Sequence, residues 1–144
     1  MNEQNSAYEE QLAHDVGSFA FDPMGFVLYA FPWGEGALVG RNLETWQREE
    51  LEDIGTSLKD GLDVSEAAVK AIRRAVASGH GVGKSAFVAW IILWAMSTLQ
   101  DTRCVVTANT EAQLKGKTWA ELAKWHRLCL CGHWFDCTAT ALIS

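Results

Sequence analysis

Eleven consecutive residues, AFVAWIILWAM at 86–96, carry no charge. Such a run has nowhere to go but the interior. Read from Lys84 as KSAFVAWIILWAMSTL, it predicts a helix that is apolar nearly all round, and so a helix buried on every side. It is far too short to span a bilayer. The chain has 144 residues and is 49% hydrophobic, enough for one domain with a sizeable core around that element. The start, MNEQNSAYEEQ, lacks the basic-then-apolar order of a secretory signal. These features imply a soluble, intracellular protein.

Charge is divided unevenly. Residues 1–69 hold three basic and fourteen acidic residues; residues 70–144 hold nine basic and four acidic. The second half is the better surface for phosphates. It is not basic enough to announce a DNA-binding domain by itself. Four cysteines occur, Cys104, Cys129, Cys131 and Cys137. In CLCGHWFDC, Cys129, Cys131, His133 and Cys137 are close enough to raise a zinc site. The spacing departs from the usual C-x-x-C pairs, and a strand there would send alternate side chains to opposite faces. Reduced, buried apolar packing is the alternative reading.

Residues 3–14 predict a short, peripheral acidic helix. In DPMGFVLYAF, Asp22 is placed to cap a helix whose first residue is Pro23. Residues 31–40 read as a loop. Residues 44–58 read as a helix, with Leu51, Ile54 and Leu58 as its apolar stripe and Trp46, Glu50 and Asp53 on one side. From residue 71 the pattern changes. Strands are predicted at 71–77, 103–108 and 133–139, with the apolar helix after the first. A long helix capped by Thr110 follows the second. Strand, loop, helix, strand, helix, strand opens a doubly wound parallel sheet, an α/β fold.

The loop ahead of the apolar helix is SGHGVGKS, residues 78–85. Gly79, Gly81 and Gly83 allow the dihedrals by which successive backbone N–H groups turn toward an anion. Lys84 supplies a cation for the β- and γ-phosphates. Ser85 supplies a hydroxyl ligand for magnesium. The helix that follows adds its positive dipole end. Ser78 occupies the place of the usual first glycine and is small enough to serve there. A glycine-rich turn that binds nothing is the bland alternative. His80 reads as an exposed loop residue. Arg73 and Arg74 would point to opposite faces of a strand, so at most one reaches a nucleotide as an arginine finger. The alternative is a solvated or helix-paired arginine for each. Upstream, the amide of Gln47 presents the donor and acceptor that an adenine edge requires, and Trp46 could cover the ring.

In this order, WQREEL, AVASGHGVGKSAFVAWIILW and VVTANTEAQLKGKTWAELAKW resemble the ATPase domain of the large terminase subunit of tailed bacteriophages. The resemblance spans roughly residues 20–144. It implies a P-loop NTPase-type parallel sheet with flanking helices. Residues 1–43 would be an N-terminal helical and loop segment, and 44–144 a partial P-loop ATPase domain. It assigns Trp46 and Gln47 to an adenine motif. Ser78, Gly79, His80, Gly81, Val82, Gly83, Lys84 and Ser85 become a Walker A loop, with Ser85 on the metal. Thr107, Ala108, Asn109, Thr110 and Gln113 match a TAxTxxQ segment, with Asn109 where proline is common. The implied cofactors are ATP and Mg2+. The implied partners are double-stranded DNA, a portal protein and a small terminase subunit, in a ring within the bacterial cytoplasm and with no membrane. The family drives DNA into a capsid by ATP hydrolysis and cuts it.

A Walker B strand ending in paired acids is missing after Ser85, where the acids are Asp101, Glu111, Glu121 and Asp136. The α/β domain is therefore expected to be incomplete, the first part of such an enzyme with little catalysis. A helicase-like motor and a non-functional prophage remnant are the alternatives.

Overall fold

The computed structural model of the chain describes residues 3–77, 83–98, 119–134, 136–137 and 142–143. Six helices dominate them: α1 (Glu3–Gly17), α2 (Pro23–Ala30), α3 (Thr45–Lys59), α4 (Val64–Ala77), α5 (Lys84–Thr98) and α6 (Trp119–Leu128). Short 3-10 turns lie at Gly36–Leu38 and Gly132–Trp134. The described strands are β1 (Asp136–Cys137) and β2 (Leu142–Ile143), paired antiparallel with Asp136 opposite Ile143.

The apolar run builds the centre. Every residue from Ala89 to Ala95 is buried, as is Phe87, so α5 shows no solvent face over two turns. It packs against α1, α2, α4 and α6. Those helices contribute Leu12 and Val16, Phe26 and Val27, Ala67 and Ala71, and Leu122 and Trp125 to one core. Full burial of each large apolar side chain stabilises by roughly 1.5–3 kcal/mol. The acidic helix α1 is therefore not peripheral: Leu12 and Val16 face the core.

Local chemistry sets the ends of these elements. Asp22 Oδ1 accepts the N–H of Gly25 at 3.0 Å, and Pro23 opens α2. At the other end of α2, Trp33 Nε1 donates to Val27 O at 2.9 Å and Leu130 N to Ala30 O at 2.8 Å. Both carbonyls belong to a last turn that has no intrahelical donors left. Phe31, Trp33, Trp90 and Trp125 then form a mostly edge-to-face cluster with centroids 5.1–6.4 Å apart. Trp94 Nε1 reaches back to Phe19 O at 2.7 Å. Tyr29 donates to Asp15 Oδ2 at 2.9 Å, tying α2 to α1; its burial and that bond push the phenol up to about 12. Glu9 on α1 holds His133 at 2.7 Å and Trp134 at 3.1 Å.

The expected α/β architecture is overturned. Residues 71–77, read as the first parallel strand, are the last two turns of α4. Taken with Val64–Lys70 they carry Ala67, Ala71 and Arg74 on one helical face, and the alanine-rich composition favours a helix. At 133–139 the chain forms the end of a 3-10 turn and then the two residues of β1, which pair antiparallel with β2 and not with a parallel neighbour. The strand expected at 103–108 and the Thr110 cap lie outside the described residues. The helix from residue 84 does form, but it packs among helices rather than across a sheet. Among the described residues no helix is long and apolar enough to cross a membrane.

Candidate functional site at the start of α5

Gly83, Lys84 and Ser85 form the entry to α5. Gly83 has φ of +88°, a left-handed conformation that glycine adopts without the strain a Cβ brings. Its carbonyl accepts the first helical bond of α5, from Phe87 N at 3.0 Å. The same carbonyl accepts a second bond, from Gln47 Nε2 at 2.9 Å. A carbonyl oxygen has two lone pairs, and here both are used. Lys84 and Ser85 follow as the first two helical residues, both partly exposed. Among the described residues no carboxylate stands within ion-pairing distance of Lys84.

Gln47 comes from the N-terminus of α3. There Oε1 accepts the backbone N–H of Glu44 at 2.8 Å, one half of a capping box. The side chain is only 3% exposed. Its carbonyl therefore faces one backbone group and its N–H another. Turning the amide toward a nucleotide base would strip two backbone partners, at about 1–3 kcal/mol for each one left buried and unmatched. Trp46 lies against Phe87 of α5, with ring centroids 5.3 Å apart, and its edge approaches Gly83.

Of the residues singled out from sequence, Trp46, Gln47, Gly83, Lys84 and Ser85 meet at this junction. Ser78, Gly79, His80, Gly81 and Val82 lie outside the described residues, as do Thr107, Ala108, Asn109, Thr110 and Gln113. Arg74 is a helix-paired arginine: it bonds Glu50 at 2.8 Å and Asp53 at 3.1 Å. Arg73 is exposed and lines an open groove of about 540 Å³ with Glu66, Val69, Lys70 and Arg74. Sequence reasoning missed the latch role of Gln47. The Glu44-x-x-Gln47 spacing, a capping-box signature at a helix start, could have found it.

The donor set suits a magnesium triphosphate in part. An ammonium and a hydroxyl stand at consecutive positions of a helix start, where unpaired N–H groups and the dipole favour an anion. The acids that would complete such a site are otherwise placed or outside the described residues. Glu121 accepts Trp125 Nε1 at 2.9 Å. Asp101 and Glu111 lie outside.

The cysteine cluster resolves into a buried pair. Cys129 and Cys131 sit in the turn after α6 with Sγ atoms 3.4 Å apart, and Ser97 Oγ lies 3.2 Å from Cys131 Sγ. The bond between the two thiols, with burial, pushes Cys129 up; the same bond and that from Ser97 hold Cys131 down. His133 faces Glu9 instead. Among the described residues no group of three or more His, Cys, Asp and Glu side chains could hold a metal.

No family model matches the chain, and neither a curated protein nor a solved structure matches it.

Proposed function

We propose that the chain binds a magnesium nucleoside triphosphate at the start of α5. Lys84 would meet the β- and γ-phosphates, and Ser85 would ligate the metal. One observation carries this reading. Gln47 and Gly83, from the two segments that a packaging ATPase brings to one nucleotide, are in direct hydrogen bond across 36 residues of chain. By the terminase resemblance the wider role is ATP-driven movement of double-stranded DNA, with a portal protein and a small terminase subunit as partners. The chain's own acids give no support to rapid hydrolysis, because no Asp-Glu pair follows Ser85.

A second reading has its own observation. The residues just ahead of the glycine run are the helix α4, where a phosphate loop would hang from a strand. That favours a helix-to-helix turn that binds no nucleotide. Titration calorimetry with Mg-ATP decides between the two. Saturable binding by the wild type, weakened at least tenfold or so in Lys84→Ala by loss of the cation, supports the first reading. Identical traces for the two proteins sink it. Phosphate release with and without double-stranded DNA tests the wider role. A DNA-stimulated turnover that vanishes in Lys84→Ala would favour the motor.

A further inference from the structure

Resting on the nucleotide reading above, we infer that this site takes the polyphosphate of a nucleoside triphosphate without selecting its base. Gln47, the one residue equipped to select it, is spent as a latch. Selection of adenine by an amide needs its N–H and its C=O turned outward together, in one plane, onto the base edge. In Gln47 the C=O accepts Glu44 N–H at 2.8 Å and the N–H donates to Gly83 O at 2.9 Å. At 3% exposure the side chain leaves no edge for a base to meet. Trp46 turns the same way, onto Phe87 and toward Gly83. Both side chains of the upstream motif thus point at the start of α5.

The latch has a consequence for phosphate. Gly83 O is fixed on one side by Gln47 and on the other by Phe87 N–H. The next two residues are Lys84 and Ser85, so the amide sets the direction in which the first turn of α5 leaves the loop. Gln47 is in this sense a positioning residue. Its loss weakens every triphosphate by one common factor, whatever the base, and weakens a triphosphate that has no base at all.

The test uses the whole chain and four ligands with magnesium: ATP, GTP, CTP and inorganic tripolyphosphate. Dissociation constants are measured for the wild type, Gln47→Ala and Gln47→Glu. The expected wild-type constants for the three nucleotides agree within about threefold. Gln47→Glu keeps the shape and the bond from Glu44 N–H, but sets a carboxylate against the Gly83 carbonyl. It should weaken all four ligands by about tenfold alike. That penalty should shrink from about pH 8 to about pH 5.5, since a protonated carboxyl can donate where the amide did and burial raises its pKa. A merely structural defect would not recover on acidification. A wild type that prefers ATP tenfold over GTP and CTP overturns the inference while leaving nucleotide binding intact. So does a Gln47→Ala loss confined to ATP. A wild type that binds none of the four overturns the nucleotide reading and the inference with it.

Discussion

Arg74 holds Glu50 through two nitrogens, Nε at 2.9 Å and Nη2 at 2.8 Å from the same Oε2, and so joins α4 to α3. Asp53, one turn along α3, takes the same Nη2 at 3.1 Å. The pairing is partly open to water, with the Arg74 side chain 39% exposed, so its worth is modest. Arg74→Met should cost about 1 kcal/mol in urea denaturation at low salt. Much of that loss should disappear near 1 M salt, where charges are screened within about 3 Å. Arg74→Lys should recover only part, because an ammonium cannot fork. A loss that salt leaves untouched would show that packing of the arginine stem, not its charge, joins the two helices.

Glu9 supplies an acid-sensitive tie between α1 and the 3-10 turn at Gly132–Trp134. Hydrogen bonding from Trp134, with a smaller effect from His133, holds its carboxyl below the ordinary 4.5. A carboxylate lowered by folding stabilises above its unfolded pKa and loses that contribution as pH falls through the folded value. The stability gap between wild type and Glu9→Gln should thus be full at neutral pH and close on acidification below 4.5. Denaturation midpoints for both proteins across that interval check it; a gap indifferent to pH would count against the tie.

Two tryptophans on α5 should respond differently to the same change. Trp94 Nε1 donates to Phe19 O at 2.7 Å. Trp90 Nε1 is buried with no hydrogen-bond partner among the described residues. Trp94→Phe removes ring volume and strands a carbonyl; Trp90→Phe removes volume and an unmatched donor. Trp94→Phe should therefore be the costlier by about 1–3 kcal/mol. Equal losses by chemical denaturation would show that Phe19 O finds another donor.

Gly83 and Gly61 separate backbone strain from collision. Their φ angles are alike, +88° and +92°. A Cβ at Gly61 meets open space, while one at Gly83 runs into Gln47 Nε2. Gly61→Ala should cost about 1–2 kcal/mol for the left-handed conformation. Gly83→Ala should cost about 1 kcal/mol more for the latch bond it breaks, and should also weaken triphosphate binding. Matching costs measured by thermal unfolding would remove the latch from the account.

What could be read from the residues, and what could not, follows from how local each signal was. The helix at Lys84 needed only its own composition, since a long apolar run admits few other fates. The cap at Asp22–Pro23 lies within one turn, and its bond to Gly25 N forms as expected. The stripe Leu51, Ile54, Leu58 was legible because all three obey one period, and all three are buried. Residues 71–77 were misread because the glycine run suggested a strand before it. Seen as AIRRAVAS, the segment is short, apolar and ambiguous; its helical period shows only when Val64–Lys70 are included. That error carried Arg73 and Arg74 with it. In a strand the two would diverge across a sheet, whereas in α4 Arg74 turns to Glu50 and Asp53. Gln47 was placed at the right junction and given the wrong partner. Its type fits an adenine edge and a backbone cap equally well, and only the fold supplies Gly83 O.

The lack of any wet face on α5 has a mechanical consequence. A helix of 15 residues is about 22 Å long, and this one is gripped by four others along that length. It has no slack side toward which to tilt. Close-packed interiors resist compression and carry displacement onward. A shift imposed at Lys84 would travel as movement of a stiff axle. It would arrive at the far end where Thr98 closes on Trp94 O at 2.6 Å and Ser97 meets the sulfur of Cys131. The turn that carries Cys131 also sends Leu130 N to the end of α2. An event at one end of α5 is in this way felt at the opposite pole of the bundle.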